Sequence, residues 1–366
     1  MSDLKKIYIL YSHFPHYRDA VFSELKKSNR YAYTFFYDEA GVDSTIRSGD
    51  AGAEDRAVRT FRLGPIMLQP GFLSTALFGR CDACIMLGNP YIVTNWLYAA
   101  ILRLRGRRVL MWTHGWRRRE TGAKGRLRNT YFRLADMLLL YGDRARKIGI
   151  DSGFSADRLQ TIYNSLDYTA QADLRDKLGC GIAVDVARFL CVTRLIPEVR
   201  IDLAIQALAI LNRTMTQPAQ LVIVGDGPER RTLEKLASDQ GVTVEFVGPL
   251  YEESKLAPHF LSAIAVVSPG KVGLLAIHAM AYGVPVITHD ELDQQMPEVE
   301  AITPGRTGLF FRFEDAASLA GAMRTAMTTN LRDQAKVEAI QMIEERYTPE
   351  VQRNFIEAAL DRLLIR

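Results

Sequence analysis

The sequence predicts an α/β protein of two doubly wound domains, each a parallel β-sheet covered by helices on both faces. The first observation is the length of 366 residues, because a domain usually has about 100–200 residues. The second is that short, almost continuously apolar runs alternate with amphipathic segments. This pattern is typical of strands buried on both faces. The third is that the alternation pauses at residues 169–187 and then starts again.

The first domain is predicted to span residues 1–168. Its apolar runs predict strands, and the segments between them have the apolar period of helices. The predicted strands are 7–11, 32–37, 83–87, 108–112, 137–141 and 159–163. The predicted helices are 17–28, 94–105, 124–135 and 143–150.

Residues 169–187 mix charged and small residues and are predicted to be a linker. The second domain, residues 188–347, repeats the pattern of the first. Its predicted strands are 189–192, 220–224, 243–247, 264–267 and 284–288, and its predicted helices are 199–212, 228–239, 253–259 and 274–282. Residues 348–366 are predicted to form an amphipathic helix that packs back on the first domain.

The composition is that of an ordinary soluble protein, with 48% hydrophobic and 24% charged residues. Residues 1–168 carry 26 Lys and Arg against 16 Asp and Glu, whereas the remainder carries 20 against 26. The basic first half indicates that one domain faces something anionic. No secretory signal is apparent, and polar residues interrupt the uncharged stretch 83–102. These features predict a cytoplasmic protein without a membrane span.

The four cysteines, Cys81, Cys84, Cys180 and Cys191, do not form a zinc-binding pattern. The single Cys-x-x-Cys pair has no second pair and no histidine cluster, so we expect buried thiols in a reducing compartment. No paired acidic motif with ligand geometry stands out either. We therefore expect neither a metal nor a cofactor.

Ligands of doubly wound domains bind at the carboxyl ends of strands, and three motifs of the second domain follow predicted strands. Gly225-Asp226-Gly227 lacks the third glycine of a dinucleotide fingerprint, and a plain strand-to-helix turn is the alternative. Arg194 and Arg200 follow another strand. Their planar guanidinium groups suit phosphate, and exposed loop charges are the alternative.

The third motif is the stretch 268–275, SPGKVGLL. Gly270 and Gly273 let the backbone approach a ligand closely. The amides of Gly273, Leu274 and Leu275 open a helix, where the dipole favours negative charge. Together the three motifs predict a diphosphate site.

Several segments of the second half resemble the nucleotide-sugar domain of family 4 glycosyltransferases, which are retaining enzymes with the GT-B fold. They are FLCVTRLIPEVRIDLAIQAL, LVIVGDGPERRTLEKLA, VEFVGPL and GLLAIHAMAYGVPVITHD followed by PGRTGLFF. The resemblance covers about residues 188–345. It is weaker in the first half, where VLMWTHG, LADMLLLYGDRARKIGI and TIYNSLD match the expected order. It implies two Rossmann-like domains facing across a cleft and a nucleotide-diphosphate sugar as the donor substrate.

The resemblance also implies roles for individual residues. Arg194 and Arg200 would clamp the donor diphosphate, and His114 would lie at the donor sugar. The other implied donor-binding positions are Gly225 and Gly227, the amides of Gly273, Leu274 and Leu275, and the backbone of Phe246, Val247 and Gly248 beside the base.

The sequence departs from the family in the third motif, where relatives usually have two glutamates and this chain has Gly270 and His278. His278 can still hydrogen-bond a ribose hydroxyl, and a core histidine is the alternative. Lys271 or a backbone group would have to replace the first glutamate at the donor sugar. Glu298 or Glu300 is a further candidate for the lost carboxylate.

The first half departs as well. Relatives often have a Gly-Gly turn after the first strand, whereas this chain has His13, His16 and Arg18 there. These side chains are candidates for the acceptor side, with Arg18 pairing with an acceptor phosphate. A solvated loop is the alternative.

Residues 101–133, the basic belt, hold eleven Lys and Arg against one acid, with Trp112, Trp116, Tyr131 and Phe132 interleaved. Beside the apolar stretch 66–73, which has little strand character, the basic belt predicts contact with an anionic membrane. The candidate membrane-facing residues are Arg117, Arg118, Arg119, Lys124 and Arg126. A solvated helix face is the alternative. Nucleic acid is not an expected partner, because no nucleic-acid-binding motif is present.

The sequence therefore predicts a retaining, metal-independent glycosyltransferase. It would move a sugar from a nucleotide-diphosphate sugar to a hydroxyl of a glycan or lipid-linked glycan. The expected setting is the inner face of the plasma membrane, in bacterial surface polysaccharide synthesis. Two alternatives stay open: a GT-B scaffold subunit without transfer activity, which the missing glutamates favour, and a nucleotide-sugar epimerase, which the basic belt disfavours.

Overall fold

The structure, a computed structural model, describes residues 4–13, 16–38, 55–179 and 186–365, without the side chain of His16. The chain divides into two compact units. The first consists of Met1–Asp167 with Pro349–Arg366, and the second of Tyr168–Thr348. In the described residues, every helix is too short or too polar to cross a lipid bilayer.

The first unit is built on a parallel sheet with the strand order β3-β2-β1-β6-β7-β8-β9. A separate antiparallel hairpin pairs β4 with β5. The strands of this unit are β1 (Lys5–Leu10), β2 (Tyr31–Tyr37), β3 (Arg56–Ala57), β4 (Phe61–Leu63), β5 (Ile66–Leu68), β6 (Ala83–Leu87), β7 (Arg108–Thr113), β8 (Met137–Leu140) and β9 (Leu159–Thr161). Its α-helices before the second unit are α1 (Asp19–Lys26), α2 (Leu73–Phe78), α3 (Val93–Leu104), α4 (Ala123–Phe132) and α5 (Asp143–Asp151).

The second unit has a parallel sheet with the strand order β12-β11-β10-β13-β14-β15. Its strands are β10 (Arg188–Val192), β11 (Gln220–Val224), β12 (Val244–Gly248), β13 (Ala265–Ser268), β14 (Val286–His289) and β15 (Gly308–Phe311). Its α-helices are α6 (Tyr168–Leu178), α7 (Ile201–Asn212), α8 (Arg230–Gln240), α9 (Glu253–Ser262), α10 (Leu274–Ala281), α11 (Ala316–Thr328) and α12 (Leu331–Arg346).

The chain returns to the first unit through a final helix, α13 (Pro349–Leu364). Ile356 and Leu360 of this helix are buried in a core cluster with Phe22 of α1 and Trp112 of β7. The Ser165 hydroxyl donates a 2.7 Å hydrogen bond to the buried amide oxygen of Gln352. An apolar stripe and one satisfied polar contact therefore hold α13 on this sheet.

Both sheets have a topological switch point, where strand order reverses. It lies between β1 and β6 in the first sheet and between β10 and β13 in the second. At such a point the loops leave the carboxyl ends of neighbouring strands toward opposite faces, which opens a crevice for ligands.

The linker prediction for 169–187 is wrong in its first part, because α6 occupies Tyr168–Leu178. Residues 180–185, with Cys180, lie outside the described residues. The polar side chains of Gln171 and Arg175 are the buried ones in α6, four residues apart, and Arg175 donates to the Ala281 carbonyl at 2.9 Å. An inward face of polar residues hides the helical pattern from a search for apolar periodicity.

The stretch 66–73 also differs from its prediction, because Ile66–Leu68 is a strand of the hairpin. The other elements that the sequence did not predict are β3, β4, α2, β15, α11 and α12. The three cysteines in the described residues, Cys81, Cys84 and Cys191, are buried free thiols. Burial raises the pKa of Cys81 to about 11 and that of Cys191 to about 12.

Candidate functional site

A cavity of about 230 Å³ lies at the switch point of the second sheet. Strand ends form one side of it, through Val192 and Thr193 at the end of β10 and Val267, Ser268 and Pro269 at the end of β13. The approaches to α7 and α10 form the other sides, through Val199, Ile201, Lys271, Gly273, Leu274 and Leu275. The cavity therefore lies where a doubly wound domain is expected to bind its ligand.

The start of α10 supplies the polar part of the cavity wall. Gly273 caps this helix, and Leu274 and Leu275 form its first turn, where backbone N–H groups have no acceptor within the helix. Lys271 lies beside them with an exposed side chain. Among the residues that the structure describes, none forms an ion pair with Lys271. The structure thus brings together the amides and the lysine that the sequence singled out, and this combination suits an anion.

The two predicted arginines occupy different environments. The guanidinium group of Arg194 is exposed and makes no hydrogen bond or ion pair with any other described residue. That of Arg200 instead contacts two carboxylates, at 3.2 Å from Asp202 and 2.8 Å from Glu314. Arg200 has a left-handed backbone (φ 55°), and its neighbour Val199 lines the cavity. Arg200 itself is not among the residues that line the cavity, and its contact with the diphosphate stays a prediction.

The glycines of the Gly225-Asp226-Gly227 turn have a packing role. A Cβ atom at Gly225 would lie 1.8 Å from the Thr193 carbonyl oxygen, and one at Gly227 would lie 2.3 Å from that of Leu195. The Leu195 amide also donates to the Asp226 carbonyl at 3.0 Å. Glycine here lets two strand-end loops lie against each other, which fixes the loop that carries Arg194.

Gly270 has a packing role of the same kind. Its amide donates to the Val199 carbonyl at 3.1 Å, and a Cβ atom here would lie 2.6 Å from the Glu198 carbonyl oxygen. The loop before α7 therefore closes directly on Gly270 and leaves no room for a side chain there.

His278 is bound within the protein. Its Nε2 atom lies 2.7 Å from a carboxylate oxygen of Glu253 on α9, to which the Tyr282 hydroxyl also donates at 2.6 Å. The imidazole packs on Phe260, with 4.5 Å between ring centroids. Burial alone would raise the pKa of Glu253, but the hydrogen bonds from His278 and Tyr282 outweigh burial and lower it.

The predicted base-binding backbone lies at the end of β12. Phe246 packs beneath the guanidinium group of Arg230, 5.7 Å from the ring centroid, and the Gly248 carbonyl accepts from the Gly225 amide at 2.8 Å. Phe246, Val247 and Gly248 do not line the cavity. Their backbone instead ties β12 to the Gly225 turn.

Glu298 and Glu300 belong to a short 3₁₀ helix, Pro297–Ala301. Glu298 is buried, and one of its carboxylate oxygens lies 4.0 Å from the position that a Cβ atom would take at Gly273. Of these two glutamates, it is Glu298 that lies at the start of α10. A carboxylate in this place stabilises the positive end of a helix dipole.

In the first unit, Arg18 is enclosed by aromatic rings at the carboxyl ends of the strands. Only 6% of its surface is exposed. Its guanidinium carbon lies 5.2–5.8 Å from the ring centroids of Tyr11, Tyr17, Trp112 and Tyr141, and one nitrogen donates to the Tyr141 hydroxyl. Within the described parts of the chain, Arg18 has no carboxylate partner. The solvated-loop alternative is therefore wrong for Arg18.

His114 packs edge-on against Tyr141, with 4.8 Å between ring centroids. As a whole residue, His114 is exposed at the surface. Desolvation, and then the positive charges of Arg18 and Arg117, lower its pKa to about 4. His114 is therefore neutral at physiological pH. Of the other predicted residues in this loop, His13 contacts the Ser12 hydroxyl at 3.2 Å, and the side chain of His16 lies outside the described residues.

The aromatic residues of the basic belt are buried, which corrects the prediction that they accompany its charges on the surface. Trp112, Trp116, Tyr131 and Phe132 are each at most 2% exposed, because they fill the core around β7 and α4. Arg117, Arg118, Arg119, Lys124 and Arg126 are exposed, and Arg119 pairs with Asp151 at 2.6 Å.

The second unit is similar in sequence to a known protein family. Residues 180–342 match the family model described as "Glycosyl transferases group 1", which supports a domain of that type in this unit. Among curated proteins, the chain is 28% identical over 211 residues to a GDP-mannose-dependent alpha-(1-6)-phosphatidylinositol monomannoside mannosyltransferase of Mycolicibacterium smegmatis. That match covers 55% of this chain and 51% of the relative. The protein of the same description from Mycobacterium tuberculosis is 32% identical over 158 residues, which cover 40% of this chain and 39% of that protein.

Among solved structures, the chain resembles the lipopolysaccharide outer core galactosyltransferase WaaB, with a TM-score of 0.71 at 17% identity. It also resembles HepE of Anabaena in complex with UDP, with a TM-score of 0.71 at 16% identity. Each match covers 98% of this chain and 100% of the other. The predicted fold class is confirmed: both units are Rossmann-like, and the structural neighbours are GT-B glycosyltransferases.

Two features of the site have no sequence signal of their own. Glu253 meets His278 from another helix, 25 residues away along the chain. Val199 faces the cavity because Arg200 takes a left-handed conformation at the start of α7. Lys271 was found from the sequence, because it lies inside the glycine-rich turn.

Proposed function

We propose that the protein is a retaining glycosyltransferase that takes a sugar from a nucleotide-diphosphate donor to a hydroxyl of a glycan or lipid-linked glycan. The observation that carries the proposal is the cavity at the start of α10, where helix amides and the exposed Lys271 face a 230 Å³ space. The likeness to group 1 glycosyl transferases over residues 180–342 supports it.

The chemistry of this wall suits a leaving diphosphate. Charge develops on the phosphate oxygens as the bond to the sugar breaks, and preorganised donors stabilise that charge at the moment it appears. The α10 amides and Lys271 provide such donors in the cavity wall. Arg194 does not line the cavity, but it is exposed on the loop after β10 and is a further donor that the family resemblance implies. In the retaining mechanism that the resemblance implies, the leaving phosphate itself takes the acceptor proton, so a separate protein base is not required.

The donor sugar would lie at His114, as the family resemblance implies. A neutral imidazole can accept a hydrogen bond from a sugar hydroxyl at one nitrogen and donate from the other. The low pKa of His114, about 4, keeps both options available at physiological pH.

Calorimetric titration with UDP, GDP and ADP tests the donor site, first without and then with Mg²⁺. We expect one nucleotide to bind without metal, and Arg194→Ala or Lys271→Ala to weaken it by about 10-fold or more, because each removes a charge-assisted contact. Arg231→Ala is a matched control, because Arg231 is exposed on α8 outside the cavity. Arg200→Ala should have a smaller effect, since its guanidinium group is held by Asp202 and Glu314.

Turnover tests the catalytic part of the proposal. With the donor identified, Arg194→Ala should reduce turnover by about 10²-fold or more, as expected on losing one preorganised donor. Near-normal turnover would remove Arg194 from the mechanism.

A second candidate is a GT-B scaffold subunit that has lost transfer activity. The observations that favour it are the apolar Val199 in the cavity wall, the loop packed on Gly270 and the internal engagement of His278 with Glu253. Failure of all three nucleotides to bind, with and without Mg²⁺, would put this candidate first.

We further propose that the protein lies on an anionic membrane surface through an apolar patch of the first unit. The patch consists of exposed side chains of β4, β5, α2 and the end of α3. Its most exposed members are Phe61 (50%), Leu63 (66%), Phe78 (78%) and Leu104 (89%). Residues 56–80 hold four arginines and no acid, so apolar groups and positive charge occur together, as an anionic bilayer requires.

Vesicle sedimentation tests the apolar patch. The double variant Phe61→Ser/Phe78→Ser should lose binding to anionic phosphatidylglycerol vesicles. Tyr251→Ser is a matched control, because it removes an equally exposed aromatic side chain (72%) from the second unit.

Reversal of Arg117, Arg118 and Arg119 to Glu should weaken binding in a salt-dependent way. Unchanged binding of the double serine variant would contradict the assignment of the patch.

A further inference from the structure

The buried Arg18 of the first unit needs an explanation that the fold alone does not supply. Moving a guanidinium group out of water costs several kcal/mol. The usual compensation is a carboxylate, and none of the described residues provides one. Cation–π contacts with aromatic rings recover part of this cost. A methionine of similar length would fill the same space without any cost of desolvation.

The hydrogen bonds of Arg18 are incomplete as well. One terminal nitrogen donates to the Tyr141 hydroxyl, whereas the other, Nη1, is buried without an acceptor among the described residues. A donor in this state is expensive to maintain in a folded protein. The carboxyl edge of a doubly wound sheet is where such domains bind ligands, and an oxyanion bound there would balance the uncompensated charge of Arg18.

His114 lies between the buried charge of Arg18 and the protein surface. The His114 ring packs edge-on against the Tyr141 ring, and Arg18 donates a hydrogen bond to the Tyr141 hydroxyl. The aromatic groups between them are poorly polarisable compared with water, so the positive charge of Arg18 acts at His114 with little screening. The charges that act on His114 are those of Arg18 and Arg117. Tyr11, Tyr17 and Tyr141 surround Arg18, and none of these groups is a carboxylate.

We propose that the first unit holds an oxyanion-binding site beside His114, charged by the buried Arg18, which takes a phosphate or carboxylate group of the acceptor substrate. The identification of the ligand as the acceptor substrate rests on the proposed function. The site itself rests on the geometry of Arg18, Tyr141 and His114 alone. Arg18 acts here as a positioning residue for the field at the site, Tyr141 lies between Arg18 and His114, and His114 is the group nearest to the ligand.

The experiment is an NMR titration of the His114 ring protons in the full chain, assigned with a His114→Gln variant. Inorganic phosphate is the first probe and sodium acetate the second. We expect saturable shifts of the His114 signals and an upward shift of its pKa from about 4, because a bound anion favours the imidazolium. Absence of any saturable shift with either probe would overturn the proposal.

Substitutions at position 18 separate a binding role from a structural one. Arg18→Met should weaken phosphate binding by about 10-fold or more, whereas Arg18→Lys should retain most of it, since the charge is kept. Arg117→Ala should have the smaller effect, because Arg117 is an exposed residue. Equal phosphate affinity of Arg18→Met and the wild type would overturn the proposal.

The same His114 NMR signals show which kind of molecule supplies the anion. A sugar phosphate or a uronic acid should shift them as the matching probe does, whereas a response only to a nucleoside diphosphate would overturn the assignment to the acceptor. Nucleotide binding to the second unit, measured by calorimetry, should be unchanged in Arg18→Met. A protein without a working donor site would therefore still show the phosphate response at His114. A protein without the phosphate response would still bind nucleotide in the second unit.

Discussion

The cavity of the second unit and the Arg18 cluster of the first unit both lie at the carboxyl ends of strands in a parallel sheet, but one is built from backbone and the other from side chains. In the second unit, backbone shapes the site: glycines bring the Gly225 turn and Gly270 against neighbouring carbonyls, and Lys271 and Arg194 extend into solvent. In the first unit, large side chains enclose a buried cation. The first kind of site is sensitive to any added atom, whereas the second is sensitive to a change of side-chain chemistry.

The largest effect is expected from Gly225→Ala. The new methyl group would lie 1.8 Å from the Thr193 carbonyl oxygen at a φ of 140°, so two loops must separate. We expect a loss of about 3 kcal/mol or more in the free energy of unfolding, measured in urea. Gly241→Ala is the control, because Gly241 is also left-handed (φ 64°) with open space around it, and it should lose about 1 kcal/mol. Similar losses in the two variants would refute the close packing of the loops.

An intermediate effect is expected from Glu253→Gln, in the side-chain cluster of the second unit. The variant weakens two hydrogen bonds to a carboxylate and should destabilise the protein by about 1–2 kcal/mol at pH 7. The folded state lowers the pKa of Glu253, so its contribution is complete above the unfolded value and is lost as pH falls through the folded value. Urea unfolding at pH 7 and pH 4 should therefore show a smaller difference between wild type and variant at pH 4. A constant difference would contradict the charged pairing.

The smallest effect on stability is expected from Arg18→Met. Replacing a buried charge with an apolar group of similar volume is often neutral or stabilising, so the free energy of unfolding should stay the same or rise by up to about 2 kcal/mol. Thermal and urea unfolding measure it. A clear loss of stability would mean that the cation–π contacts of Arg18 hold the fold, and the contrast between the two sites would disappear.

Much of the fold follows from the sequence, because a strand buried on both faces leaves an apolar run that little else produces. The strands β6 and β11 have the predicted limits, and most others differ by one or two residues. The helix α6 was missed because its inward residues, Gln171 and Arg175, are polar. The hairpin of β4 and β5 was missed because its side chains are largely exposed and carry no buried-strand pattern.

The candidate site follows from the sequence only where the backbone defines it. A glycine-rich turn before a helix predicts amide donors wherever it occurs, so Gly273, Leu274, Leu275 and Lys271 were found. The direction of a side chain depends on backbone angles and on distant partners. Arg200 turns away to Asp202 and Glu314, and His278 meets Glu253 from another helix. Such pairings arise only in three dimensions, and the local sequence does not encode them.

The packing at Gly270 has a consequence for the evolution of the chain. A side chain at this position would meet the backbone of Glu198 and Val199 at 2.6–2.9 Å, so a single substitution by a larger residue is sterically blocked. A larger residue fits only after a second change has displaced the loop before α7. Position 270 and that loop are therefore coupled, and we expect substitutions at the two places to be tolerated together rather than singly.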